Sequence, residues 1–358
     1  MYVQRLERLR ALMSELSVDA MLIASDVNRT YMTGFVGTAG FVVVTDRRAV
    51  LLTDFRYVTQ AGQQAPDYEI VEHAAGKHMD KIHELLREEG VKRLGFEQQH
   101  VSYGAYVAYS AALQGVELVP TDRVVEKLRM IKDANELQIM QEAAELADRT
   151  FSHILTKLKP GVKELDIALE IEMFIRSNGG TSTSFDTIVA SGERSALPHG
   201  RASERVLQKD EFVKLDFGAY YKGYCSDITR TVVLGKPTDK HREIYDRVLE
   251  AQLSCLNGLK PGMTGREGDA LARDIIVKYG FGDNFGHGTG HSLGMEIHES
   301  PRLSTGDETV LEPGMTMTVE PGIYLPGFGG VRIEDDVVFT ETGIRILTQS
   351  TKQFIILD

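Results

Sequence analysis

The sequence contains no tryptophan and only two cysteines, Cys225 and Cys255, among 358 residues. Two thiols are too few for a disulfide scaffold in a chain of this length, and their scarcity agrees with a reducing compartment. The amino terminus also lacks the apolar core of a secretory signal peptide. We therefore expect a cytoplasmic location.

Long apolar runs and an excess of basic residues are missing as well. The longest uncharged apolar runs span a few residues, such as 21–24 and 41–44, whereas a membrane-spanning helix needs about 20. The formal net charge of -12 at pH 7 argues against the basic face of a nucleic-acid-binding protein. The sequence therefore predicts neither a membrane nor a nucleic-acid partner.

The length and patterning of the chain indicate two domains. A chain of 358 residues exceeds what a single hydrophobic core usually supports. Helical and strand patterns alternate in the amino-terminal third, which is typical of an α/β domain. Asp133 followed by Glu136 then predicts a capping box at the start of a long helix. We place the boundary near 122–130, which gives domains 1–127 and 128–358.

An alternating strand pattern with a glycine-containing turn covers residues 213–232 and predicts a β-hairpin. A turn centred on 221–222 would place Asp216 directly opposite Asp227. Opposed like charges destabilise an antiparallel pair, because the facing Cβ atoms are only about 4.5–5.5 Å apart. We therefore expect a positive group or ion between the two carboxylates.

A second acidic hairpin repeats the first. A turn near Gly327 would bring Glu320 opposite Glu334, and an offset of 104 carries Asp216 onto Glu320. The sequence Leu-Lys-Pro-Gly at 158–161 also recurs at 259–262, before a second predicted helix. The second half of the chain is therefore expected to be an internal repeat related by a pseudo-twofold axis.

A glycine-rich segment between the hairpins, FGHGTGHSLGMEIH at 285–298, contains three histidines. Glycine lets the backbone approach a ligand closely, and a neutral imidazole is a common companion of carboxylates around a metal. Thiol-free, carboxylate-rich ligands suit Mn²⁺, with Co²⁺ or Zn²⁺ as alternatives. Four carboxylates favour two ions that share bridging ligands. The other interpretation is a surface loop with incidental histidines.

Four motifs carry a family resemblance: LDFGAYYKGYCSDITR, GHGTGHSLGMEIHE, TVEPGIY and GVRIEDD. Together they resemble the metallopeptidases that include Xaa-Pro dipeptidase (prolidase), aminopeptidase P and methionine aminopeptidase. The resemblance implies an α+β pita-bread catalytic domain over about 130–358. Residues 1 to about 125 are similar to the α/β amino-terminal domain of creatinases, prolidases and aminopeptidases P, which methionine aminopeptidases lack.

The resemblance also implies roles for individual side chains. It implies two divalent ions per chain, held by Asp216, Asp227, His291, Glu320 and Glu334. It implies a catalytic group of His199, His298 and Glu320. It implies substrate contacts from His199, His287, His298 and Arg332.

The implied reaction is hydrolysis of the Xaa-Pro bond. We favour an Xaa-Pro dipeptidase acting on Xaa-Pro dipeptides, with an aminopeptidase P acting on longer peptides as the alternative. More remote alternatives are a creatinase-like hydrolase that needs no metal and a non-catalytic peptide-binding module. The intact ligand set argues against both remote alternatives. Relatives with this two-domain layout commonly pair, so a homodimer is expected.

Overall fold

The computed structural model describes residues 2–358 and divides into two units, Met1–Arg129 and Met130–Asp358. The first unit contains six helices and six strands. They are α1 (Tyr2–Glu15), β1 (Ala20–Ile23), α2 (Asp26–Thr33), β2 (Phe41–Thr45), β3 (Ala49–Thr53), α3 (Val58–Gln64), β4 (Glu69–Glu72), α4 (His78–Glu88), β5 (Arg93–Glu97), α5 (Tyr103–Ala112), β6 (Glu117–Thr121) and α6 (Val124–Met130).

The strands of this unit form one sheet in the order β4-β3-β2-β1-β5-β6. The β1/β2 and β2/β3 pairs are antiparallel and the other three pairs are parallel. All four residues of β1 are buried, as expected for a central strand covered on both faces. Helix α4 buries one apolar face that includes Ile82 and Leu86. The predicted α/β class of this domain is confirmed.

The second unit contains four long helices, two short 3-10 helices (192–196 and 282–284) and fourteen strands. The helices are α7 (Ala134–Leu155), α8 (Glu164–Ser177), α9 (Asp239–Gly258) and α10 (Gly265–Lys278). The strands are β7 (Ser182–Thr183), β8 (Ile188–Ser191), β9 (Glu211–Phe217), β10 (Ala219–Tyr221), β11 (Tyr224–Cys225), β12 (Ile228–Leu234), β13 (Gly290–Ser292), β14 (Glu299–Leu303), β15 (Thr316–Val319), β16 (Gly322–Leu325), β17 (Gly329–Arg332), β18 (Asp335–Phe339), β19 (Ile344–Ile346) and β20 (Ile356–Leu357).

Helix α7 begins with the predicted capping box. The Asp133 carboxylate accepts from the backbone N–H of Glu136 at 3.0 Å, and the Glu136 carboxylate accepts from the backbone N–H of Asp133 at 2.8 Å. Two donors that the first helical turn would leave unpaired are thereby satisfied. Within residues 2–358, no helix is both long and apolar enough to cross a membrane.

The register of the first acidic hairpin differs from the prediction. Asp216 pairs with Thr229 rather than with Asp227, because the turn is centred on Lys222-Gly223. Both turn residues have positive φ, 47° and 87°, which is the geometry of a two-residue hairpin turn that favours glycine at the second position. The error is a shift of two residues, and side chains alternate with a period of two. Asp216 and Asp227 are therefore diagonal neighbours that share a face.

The second hairpin has the predicted register. Gly322 pairs with Arg332 and Val319 pairs with Asp335, so the flanking ladders place Glu320 opposite Glu334.

The internal repeat is visible in the backbone hydrogen bonds. Gly161 N–H donates to the Leu207 carbonyl at 2.9 Å, and Gly262 N–H donates to the Leu311 carbonyl at 2.8 Å. Each contact ties the start of a helix, α8 or α10, to the segment that precedes an acidic hairpin. The two halves therefore share connectivity as well as sequence motifs, as a pita-bread repeat requires.

Candidate metal centre

Strand β9 presents two different faces. Val213, Leu215 and Phe217 pack into a core cluster with residues of α7 and α8. Because side chains alternate along a strand, Lys214 and Asp216 lie on the opposite face. That face borders a cavity of about 580 Å³. Burial of one face against the helices therefore directs Asp216 towards the cavity.

The other acidic side chains lie where the hairpin ladders are interrupted. Asp227 lies between β11 and β12, Glu320 between β15 and β16, and Glu334 between β17 and β18. At an interruption the backbone leaves the regular pleat, so a side chain can turn towards a common point. The two hairpins therefore direct these three carboxylates into the same cavity.

His291 reaches this cavity from the glycine-rich segment. A Cβ atom at Gly290 would lie 1.9 Å from the Thr318 carbonyl oxygen, so only glycine allows β13 to approach β15 this closely. The His291 backbone N–H donates to the Thr318 hydroxyl at 3.0 Å. The ring Nδ1 lies 3.1 Å from the Ser292 carbonyl, so Nδ1 carries the proton and Nε2 faces the carboxylates with its lone pair.

Three carboxylates and one imidazole lie close enough to one another to share a cation. His291 Nε2 lies 3.3 Å from Glu320 Oε1 and 3.7 Å from Asp227 Oδ2. One ligand atom each from Asp227, His291 and Glu334 lies within 4.8 Å of the other two. A single cation placed among these atoms could contact all three residues.

Asp216 is held by a buried arginine. Arg332 Nη2 donates to the Asp216 carboxylate, and Arg332 Nε donates to the Thr229 hydroxyl at 3.1 Å. Its Nη1 donates to the Tyr324 hydroxyl at 2.7 Å and to the Pro198 carbonyl at 3.1 Å. Four of the five N–H donors of this guanidinium are thus used inside the protein.

Burial and mutual repulsion shift the pKa values of the cluster. Burial, with the charges of Glu334 and Asp216, raises the pKa of Asp227 well above its ordinary value. Burial, with the charges of Glu320 and Asp216, does the same to the pKa of Glu334. Burial lowers the pKa of His291 to about 4. Without a cation, the folded protein therefore resists ionising its own carboxylates.

The donor set fits divalent metal ions. Asp227 is 4% exposed, and its Oδ1 is buried with no hydrogen-bond partner in the described chain. Buried polar atoms are normally satisfied, so an orphaned carboxylate oxygen beside a neutral imidazole indicates an absent cationic partner. The ligands are oxygen and imidazole nitrogen without a thiolate, because Cys225 is buried against the Met295 carbonyl. This set suits Mn²⁺, Co²⁺ or Zn²⁺.

All nine predicted site residues line the same cavity. The side chains of His199 and His298 are exposed, and the ring centroid of His298 lies 4.5 Å from that of His291. His287 Nε2 accepts from the Tyr324 hydroxyl at 2.8 Å, since its Nδ1 donates to a backbone carbonyl. The structure thus brings together residues that are up to 135 positions apart, from 199 to 334.

Several residues of the cavity were not predicted from the sequence. The side chains of Phe185, Ile188 and Ile297 form an apolar part of the cavity wall, and Arg302 contributes a cationic side chain. Ile297 lies within the glycine-rich segment, but no quoted motif covers Phe185, Ile188 or Arg302.

Lys214 lies on β9 behind the cavity wall, where its Nζ donates to the carbonyls of Leu197 and Pro198. Its position two residues before Asp216 was a signal, since residues i and i+2 of a strand share a face. Burial, with the charge of Arg332, lowers the pKa of Lys214 well below its ordinary value.

Comparison with known proteins agrees with this geometry. Residues 138–341 match the model of metallopeptidase family M24, and residues 5–131 match the creatinase/prolidase N-terminal domain. An Xaa-Pro dipeptidase of Pyrococcus furiosus is 40% identical over 98% of this chain and 99% of its own length.

Solved structures give the same result for the whole chain. The structure of an Xaa-Pro dipeptidase from Bacillus anthracis has a TM-score of 0.98 and 54% identity, with both chains fully covered. That of an X-Pro aminopeptidase from Thermotoga maritima has a TM-score of 0.92 and 37% identity over 99% of this chain and 100% of its own. Its carboxylate-imidazole centre and these matches show that the chain belongs to metallopeptidase family M24 and carries a creatinase/prolidase N-terminal domain.

Proposed function

We propose that the chain is an Xaa-Pro dipeptidase whose cavity holds two divalent metal ions, with Asp216, Asp227, His291, Glu320 and Glu334 as ligands. The convergence of Asp227, Glu320 and Glu334 around His291 carries the proposal, because three largely buried carboxylates repel one another without cations, and Asp216 lines the same cavity. When bound, such ions polarise a carbonyl group and make a water molecule more acidic. Oxygen-rich ligands favour Mn²⁺ as the native ion.

Residues of the chain then transfer the proton and bind the substrate. Burial raises the pKa of Glu320, which suits a carboxylate that accepts a proton and returns it to the leaving proline nitrogen. His199 and His298 lie at exposed positions of the cavity and contact the substrate carbonyl and backbone. Arg332 fixes Asp216, and with four of its five donors occupied inside the protein one remains for the predicted substrate contact.

Recognition of proline depends on shape, because the scissile bond is a tertiary amide without an N–H. Phe185, Ile188 and Ile297 offer apolar surface against which a pyrrolidine ring packs. A dipeptidase must also bind the free proline carboxylate. Arg201 is paired with Asp186 at 3.0 Å, whereas the guanidinium of Arg302 has no hydrogen bond or ion pair in the described chain. We assign the carboxylate contact to Arg302.

The test compares kcat/KM for an Xaa-Pro dipeptide and an Xaa-Pro-Yaa tripeptide with Mn²⁺, in the native protein and in Arg302→Met. We expect the native protein to prefer the dipeptide. The variant should lose about 10- to 100-fold on the dipeptide, since a charge-assisted hydrogen bond contributes about 1.5–3 kcal/mol. The tripeptide, which has no carboxylate at that position, should change little. The control is Arg266→Met, because Arg266 is exposed, pairs with Glu308 and lies outside the cavity.

A tripeptide preference of tenfold or more in the native protein would instead favour an Xaa-Pro aminopeptidase, the activity named for the Thermotoga maritima relative. Equal losses on both substrates in Arg302→Met would remove the carboxylate contact from the proposal.

We also propose that the protein is a homodimer. Support comes from large apolar side chains at the surface of the first unit, where Phe55 is 77% and Tyr103 is 82% exposed. A subunit interface would cover such side chains. Sedimentation at micromolar concentration should therefore give twice the 39.8 kDa mass of one chain, and a monomer at that concentration would end the proposal.

We further propose that the protein is located in the cytoplasm. Its two cysteines are buried and form no disulfide, which suits a reducing compartment.

A further inference from the structure

Lys214 is a buried lysine without a carboxylate partner. Its exposed fraction is 0%, and none of the carboxylates in residues 2–358 lies within ion-pair distance of its Nζ. The other buried lysine of the described chain, Lys132, differs in this respect, because its Nζ lies 3.2 Å from the Glu299 carboxylate. Burying an amino group costs free energy unless hydrogen bonds compensate, so the contacts of Lys214 indicate its role.

The amino group of Lys214 contacts one loop at the cavity. Nζ donates to the Leu197 carbonyl at 2.6 Å and to the Pro198 carbonyl at 3.3 Å. It also lies 5.0 Å from the centre of the Tyr324 ring. Both the ammonium and the neutral amine have enough N–H donors for the two carbonyls. The loop contact is therefore independent of the protonation state.

This loop carries His199, which follows the two bound carbonyls directly. The Pro198 carbonyl also accepts from Arg332 at 3.1 Å, and the Arg201 carbonyl accepts from Arg194 at 2.8 Å. The His199 side chain is exposed and lines the cavity. Side chains from β9 and β17 thus fix the backbone on the amino-terminal side of His199, while its imidazole has no hydrogen bond to any other part of residues 2–358.

We infer that Lys214 is a positioning residue that holds the 197–201 loop so that His199 projects into the cavity. The inference rests on the proposed function only for the role of His199 on substrate. Lys214 lies two residues before Asp216 on the same strand face. Strand β9 therefore positions both the Asp216 carboxylate, a proposed metal ligand, and the loop that carries His199. A misplacement of about 1 Å near reacting groups can cost about 10²-fold in rate.

The first test is amide hydrogen exchange of the full chain, which requires no activity. In Lys214→Met, we expect faster exchange in peptides that cover 194–203, where Gly200 N–H donates to the Leu197 carbonyl at 3.1 Å. Other peptides should be unchanged. Lys222→Met provides the matched control, since Lys222 is on the turn of the same hairpin and pairs with Glu142 at the surface. Unchanged exchange in the loop of Lys214→Met would overturn the inference.

The second test is a double-mutant cycle with His199→Ala in the metal-loaded protein. We expect Lys214→Met to lower kcat/KM on an Xaa-Pro dipeptide by about 10- to 100-fold, with normal metal content. Because Lys214 acts through His199, the double variant should be no worse than His199→Ala alone. Independent, multiplying losses would contradict the inference. Should Lys214→Met fail to fold, Lys214→Gln replaces it in both tests, because the shorter amide cannot reach both carbonyls.

Discussion

Asp227→Asn should lower kcat/KM by about 10³-fold or more and leave the fold intact. The substitution preserves the volume of the side chain but removes the charge of a proposed metal ligand. Metal ions contribute several kcal/mol to transition-state stabilisation, and about 1.4 kcal/mol corresponds to a tenfold change in rate. Elemental analysis should accompany the kinetics, with about two equivalents of metal in the native protein and fewer in the variant.

The control for this substitution is Asp274→Asn. Asp274 is exposed on α10 and is not part of the cavity. We expect native activity and metal content for this variant. Native metal content and native activity in Asp227→Asn would contradict the ligand assignment, and fewer than one equivalent in the metal-loaded native protein would exclude a two-metal site.

Adding Mn²⁺ to the chelator-treated protein is expected to raise the melting temperature by about 10 °C. A ligand that binds only the folded state at 1,000 times its dissociation constant contributes about 4 kcal/mol. In a domain of 150–250 residues, each kcal/mol shifts the melting temperature by about 2–4 °C. Thermal unfolding with chelator and with Mn²⁺ measures the effect. The shift should be much smaller in Asp227→Asn, and equal shifts in the two proteins would place the binding elsewhere.

The same measurement with chelator has a predicted pH dependence. The pKa of Asp227 is raised above its ordinary value of 3.8 in the folded protein, so the folded state binds this proton more tightly than the unfolded state. That stabilisation is complete below the ordinary pKa and is lost as the pH rises through the folded-state pKa. Asparagine, which does not titrate, avoids the loss. The melting temperature of Asp227→Asn minus that of the native protein should therefore increase from pH 5 to pH 8, and a decrease would refute the repulsion argument.

Much of the candidate site could be predicted from local sequence. Alternation along 213–232 identified the strand face of Asp216 and Asp227, and the offset of 104 identified the second hairpin. A register error of two residues did not change the face, because the side-chain period of a strand is two. The capping box at Asp133 was also predictable, since both partners lie within one helical turn.

The roles of the cationic residues could not be predicted this way. Arg332 was predicted to contact substrate, and the structure adds partners that the sequence did not indicate: Asp216, Tyr324 and the Pro198 carbonyl, which lies 134 positions away. Arg302 and Lys214 belong to no motif with a known function. Whether such a side chain is occupied or available depends on groups that only the folded chain brings near it.

The sequence by itself determined the two acidic hairpins, their repetition, the glycine-rich histidine segment and the class of chemistry, because each depends on short-range periodicity and residue type. The tertiary structure decided which acids converge on His291 Nε2, and it gives Asp227 Oδ1 no hydrogen-bond partner among residues 2–358. It also placed Lys214 against the loop of His199. These features depend on contacts between segments that are not neighbours in the chain, from 16 or 17 positions apart for Lys214 and the loop of His199 to 107 positions for Asp227 and Glu334. Such contacts follow from tertiary packing rather than from local pattern.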